Sequence, residues 1–186
     1  LAALALMAEG DCTPLVRVGN FAIIAATRWL LGDADGAHAA AQSALELADG
    51  ENEDFRAMAS VVHSATGAPT TTAEVRSMAA VLLHRPTVPY PLGLTVFASS
   101  GLLPADEMLD LLDEIVAAIA AADTHWVDAE LLRVRGELIL SSADGTDAEA
   151  RAEAVRCFDQ ALAIAEAQGA HFWADRVRTS RELGPI

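Results

Sequence analysis

The chain contains no lysine. All 12 of its basic residues are arginine, set against 27 acidic ones, for a formal net charge of −15. Such a balance repels a phosphate backbone, so direct binding of DNA or RNA by this segment is not expected. Without lysine the Gly-x-x-x-x-Gly-Lys phosphate loop cannot be written either, and neither His-Glu-x-x-His nor Gly-x-Ser-x-Gly occurs. Arginine throughout is what a GC-rich bacterial coding sequence gives, and nothing functional need follow. Aromatic residues make up only 5% of the chain and runs of β-branched residues are scarce, which disfavours a sheet. The two cysteines, Cys12 and Cys157, stand far apart with no Cys-x-x-Cys pair. Two reduced thiols in a cytoplasmic protein are therefore expected. The longest apolar run, Ile115 to Ala122, falls far below the ~18 residues of a spanning helix. The opening Leu1-Ala2-Ala3-Leu4 carries no initiating Met and no basic flank, and reads as a piece of a longer protein rather than a signal peptide.

What is present points to helix. The 186 residues are 53% hydrophobic, with alanine and leucine dominant, enough to bury a substantial core. Thr13-Pro14 predicts a helix from Pro14 to Leu31, stopped by Gly32. A second is expected from about Asp35 to Ala48, a third from an Asn52 cap to Thr66 before Gly67, and a fourth from a Thr72 cap to about His84. Arg85-Pro86 with Pro89 and Pro91 marks an irregular stretch, and a helix is read from Tyr90 to Ser100. Further helices are expected from Pro104 to Ala122, His125 to Ser141 and Asp147 to Gln168. A last one, His171 to Leu183, would cap the stack.

A period runs through these elements. Ala37-x-x-x-Ala41-x-x-Ala44, Ala73-x-x-x-Ser77-x-x-Ala80, Met108-x-x-x-Leu112-x-x-Ile115 and Ala154-x-x-x-Phe158-x-x-Ala161 open at intervals of 36, 35 and 46 residues. The tetratricopeptide period is about 34. The loop Ser141 to Asp147 accounts for the longer last interval. A small residue on each first helix keeps the same beat: Ala25, Ser60, Gly93 and Gly136. Small residues let two antiparallel helices approach, and Phe158 fills the gap that Gly136 leaves. The expected fold is therefore all-α: a right-handed α-solenoid of tetratricopeptide-like hairpins at about 14–48, 53–84, 90–122 and 125–168, with a C-terminal capping helix at 171–183, forming one repeat domain over 1–186.

Amphipathic registers assign the faces. Ala148, Ala152, Val155, Phe158, Leu162 and Ala165 form one apolar stripe. The helix from His125 is apolar on two sides, Trp126, Ala129, Leu132, Gly136 and Ile139 against Val127, Leu131, Val134 and Leu138. A helix buried on two sides sits inside a stack. Its polar remainder, Glu130, Arg133 and Glu137, would then line the concave groove and be exposed there, with Trp29 and Thr95 further along. A mixed-sign strip suits a polar or peptide ligand, while at i, i+3 and i+7 it also makes ordinary intrahelical pairs.

Other clusters read more simply. Asp106, Glu107, Asp110, Asp113 and Glu114 suit a solvated face and the helix dipole, with no partner set for a metal. Asp33-x-Asp35-Gly36 lacks the distal Glu of a calcium loop. His125-Trp126 and His171-Phe172-Trp173 are expected at helix starts, each Trp packing between neighbouring hairpins. No catalytic residue, metal or cofactor is expected.

The block Trp126 to Ala170, with Ala129-Glu130-Leu131-Leu132-Arg133, Arg135-Gly136-Glu137-Leu138 and Ala161-Leu162-x-Ile164-Ala165-x-x-Gln168-Gly169-Ala170, resembles the carboxy-terminal tetratricopeptide region of large, maltose-activator-like bacterial signal-transduction ATPases. In those regulators an ATPase core is joined to such repeats and to a LuxR-type or adenylate-cyclase-like output domain. The resemblance covers about a quarter of the chain, and neither ATPase motifs nor an output domain lies in it. It implies a protein-interaction or ligand-sensing module of a transcriptional or signalling regulator, without catalysis. The partner would be a protein, a peptide or a small-molecule effector, with no membrane involved. The alternative is a free-standing repeat adaptor that binds a peptide or partner protein.

Overall fold

The computed structural model describes residues 13–48, 53–84, 90–143 and 147–183. Among them the chain is all-helical, without strands. We number the helices α1 (Pro14–Leu30), α2 (Ala34–Leu47), α3 (Glu53–Ala65), α4 (Thr72–His84), α5 (Tyr90–Ser99), α6 (Ala105–Ala121), α7 (Asp128–Ser142), α8 (Ala148–Ala167) and α9 (His171–Leu183). The expected boundaries hold to within a residue or two, except that α7 starts at Asp128 rather than His125. Cys12, the Asn52 cap and the Arg85-Pro86/Pro89 stretch lie outside the described residues.

Side chains and backbone hydrogen bonds set these ends. Thr13 and Asp33 accept from Val16 N and Gly36 N, and Asp147 accepts from both Glu149 N and Ala150 N. The cap of α4 is Thr71, not Thr72. Thr71 N donates to Glu74 Oε2 at 2.7 Å and Glu74 N donates to Thr71 Oγ1 at 3.3 Å, a capping box. The Thr71 hydroxyl also donates to Glu74 Oε2 at 2.7 Å, and the two bonds that the carboxylate accepts from Thr71, backbone first and hydroxyl second, hold the Glu74 carboxyl below its ordinary pKa. Among the described residues, four helices close on a six-to-one bond: Asp33 N to Arg28 O, Ala68 N to His63 O, Thr124 N to Ile119 O and Ala170 N to Ala165 O. Glycine supplies the left-handed residue in three of them, whereas Asp123 takes it (φ 51°) after α6. Aspartate tolerates that region better than most side chains do.

The chain divides into two compact units, Leu1–Leu102 and Leu103–Ile186. The division falls within 90–122, read from sequence as one hairpin: α5 packs on α1, α3 and α4, and α6 on α7.

In the first unit α1 and α2 form a close hairpin through alanines. Ala22, Ala25 and Ala26 on α1 and Ala37, Ala41 and Ala44 on α2 are all wholly buried, and the two helices pack together. α3 lies against both helices, then α4 and α5 follow. A Cβ on Gly93 would sit 3.1 Å from Met58 Cγ, so a larger residue there would push α5 off α3. The α4 register differs from expectation. Val75, Ala79 and Leu82 are buried, while Ala73, Ser77 and Ala80 are exposed. The larger side chains won the core because they remove more apolar area from water.

Between α2 and α3, His38 and His63 face each other with ring centroids 4.6 Å apart, and His38 Nδ1 lies 2.9 Å from Thr66 Oγ1. Burial, and then the neighbouring His38, hold the His63 pKa below its ordinary value. The unfolded chain then binds the proton more readily, so this contribution is present above about pH 6.5 and is lost as the pH falls. In melts of wild type and His63→Gln, the stability gap should move in favour of the variant as pH drops from 7.5 to 5. A gap independent of pH would contradict this.

In the second unit α7 is the central helix, touching α6, α8 and α9. Ala154, Phe158, Ala161 and Val177 form its core, with Leu132, Ile139, Leu140 and Leu162 packed around them. A Cβ on Gly136 would lie 2.6 Å from Phe158 Cε1. The glycine is what lets α8 bring its ring onto the α7 backbone. The stripe read on α8 is corrected in part: Phe158 and Ala165 are buried, but Ala148, Ala152 and Val155 are exposed, and the seam runs through Ala154, Cys157 and Ala161 instead.

Candidate functional site

The expected groove strip is not exposed. Glu130 is 0% and Arg133 4% exposed, and Glu137 is half-buried. α9 covers them. Arg133 grips Glu130 bidentately, Nε to Oε2 and Nη2 to Oε1, both at 2.8 Å. Its Nη1 donates to Glu137 Oε1 and, at 2.9 Å, to Ser180 Oγ. From α9, Arg176 Nη2 reaches Glu130 Oε1 at 2.8 Å and the Ser180 hydroxyl donates to Glu137 Oε1 at 2.6 Å. Two carboxylates thus face two guanidiniums. Burial alone would lower the Arg133 pKa, but the hydrogen bonds and charges of Glu130 and Glu137 outweigh it and raise the value. A network so fully paired has little left for a ligand. Chemically it is a clamp that fixes α9 on α7.

The other two expected residues lie in the first unit. Thr95 is 0% exposed and its hydroxyl donates to Pro91 O at 2.7 Å, so it faces no groove. Trp29 is half-buried on α1. Of the histidine–aromatic clusters, Trp173 is buried as expected, but Trp126 is 43% exposed and fills no gap between hairpins. His125 instead binds Asp128, Nδ1 to Oδ2 at 2.9 Å. That hydrogen bond leads the interactions, with the Asp128 charge and Asp123, that raise its pKa.

A second feature of this unit is a cleft of about 420 Å³ between α6 and α8, floored by α7. Val116, Leu131, Leu132 and Ile164 make it apolar, while His125, Asp128, Arg135 and Gln160 bring polar groups to its wall. The Cys157 thiol lines it too, with its pKa pushed up chiefly by burial, which keeps the sulfur uncharged and apolar. Gln168 donates to His125 O at 2.7 Å, tying the end of α8 to the turn before α7 at one end of the cleft. The volume falls within the roughly 300–1,000 Å³ usual for small-molecule sites. Arg135 is held by Asp113 of α6.

Among the described residues no cluster of His, Cys, Asp or Glu could hold a metal ion, and no helix is long and apolar enough to cross a membrane. No family model matches the chain, and neither the curated proteins nor the solved structures hold a match.

Sequence reasoning passed over Arg176, Ser180 and Arg135. The first two stand four apart on α9 and so share a helix face, which was the available signal. Nothing local distinguishes Arg135.

Proposed function

We propose that this chain is a helical-repeat module that senses a ligand or partner within a larger bacterial transcriptional or signalling regulator. In this reading it catalyses nothing itself, works in the cytoplasm, and contacts neither nucleic acid nor membrane. The observation that carries it is the seating of Phe158 on Gly136, the close helix approach on which tetratricopeptide-like hairpins are built. Supporting it, α7 contacts its hairpin partner α8, the preceding α6 and the following α9, as a first helix inside a stack of hairpins does. An effector that binds one arrangement of the stack better than another biases whatever is attached to it, by its difference in affinity for the two. The coding sequence on either side tests the attachment. An upstream Gly-x-x-x-x-Gly-Lys loop and an output domain are expected. Flanks without either would overturn it and favour a free-standing adaptor.

A further inference from the structure

The cleft carries a cation that the protein does not use up. Arg135 gives Nη2 to Asp113, and its other donors make no hydrogen bond with the described residues. Asp113 is itself 71% exposed, and an ion pair so wetted is weak and readily exchanged. The guanidinium carries five N–H donors in a rigid fork that matches a carboxylate bidentately. Around it the surface is apolar: Leu131 and Leu132 on the floor, Val116 on one wall, Ile164 on the other.

We propose that this cleft binds a medium-chain aliphatic monocarboxylate, its head on Arg135 and its tail along Leu131 and Leu132. This gives a ligand class to the sensing role proposed above and rests on that reading. Charge complementarity selects the occupant. A single available guanidinium, with Asp113 and Asp128 close by, suits one negative charge and disfavours a doubly charged phosphate. An uncharged chain would fill the apolar floor and leave the fork unsatisfied. The four apolar side chains Val116, Leu131, Leu132 and Ile164 suit an aliphatic tail better than a polar peptide backbone.

The test is calorimetric titration of the whole chain with decanoate, and separately with decan-1-ol. Decanoate should bind saturably at one site. Arg135→Gln, at a half-buried position outside the core, should weaken decanoate at least about tenfold and leave decan-1-ol unchanged. Ala120→Trp, at an exposed wall position, should abolish binding of both without altering the melt. Asp113→Asn should tighten decanoate, because it releases the competing carboxylate. No saturable decanoate binding by wild type overturns the proposal. So does equal loss of both probes in Arg135→Gln, or wild-type binding by Ala120→Trp. Any of these would leave the module reading standing, since that is decided by the flanking sequence.

Discussion

Arg133→Glu should lower the unfolding free energy by about 3–5 kcal/mol or more, the cost of removing one partner from a buried charge network. From its sequence neighbours alone, Arg133 reads as an exposed residue of the groove, where a charge reversal costs little stability. The structure gives the opposite result. Arg133 is 4% exposed, and a carboxylate there would face the buried Glu130 and the half-buried Glu137 where solvent screening is weak. The remaining positive charge, Arg176, is engaged by Glu130 from α9. Urea melts followed by tryptophan fluorescence would measure the loss, with Trp173 buried on α9 as a local reporter. A loss below about 1 kcal/mol would be the behaviour of a surface pair instead.

Phe158→Ala should cost about 3–5 kcal/mol, as deletion of a buried aromatic does. The ring is 2% exposed, at the centre of the second unit's core. Its fit with Gly136 makes a sharper test. In wild type, Gly136→Ala sets a methyl 2.6 Å from Phe158 Cε1 and should destabilise by about 1–3 kcal/mol through overpacking. In the Phe158→Ala background that obstacle is gone, and the alanine's better helix propensity should make the same change neutral or stabilising by up to about 1 kcal/mol. Gly136→Ala with the same sign and size in both backgrounds would mean that the two helices do not meet at this point.

The helices were legible because their ends are written locally. Thr13-Pro14, Asp33, Asp147 and the glycines at 32, 67 and 169 act within a turn of themselves. The last hairpin was legible because one glycine and one phenylalanine specify its contact. Where alanine fills most positions, as on α4, every register carries nearly the same apolar pattern, and Val75 and Leu82 decided the face only through what they pack against. The strip was misjudged for a related reason. Glu130, Arg133 and Glu137 have the same spacing whether water or α9 covers them, and the covering residues, Arg176 and Ser180, come more than 40 positions later. The cleft was invisible from sequence, because α6, α7 and α8 each supply a part of it and no segment carries its pattern.

The central claim is that the polar strip of α7 is closed by α9 and so is structural, and the cleft on α6, α7 and α8 is the site proposed for a ligand. A double-mutant cycle between Glu130→Gln and Arg176→Met in denaturant melts tests it most directly. The bonds from Arg176 to Glu130, at 2.8 and 3.1 Å, predict a coupling of about 1–3 kcal/mol. A coupling within about 0.3–0.5 kcal/mol of zero would mean that Arg176 does not hold Glu130, and would contradict the charged half of the closure by α9.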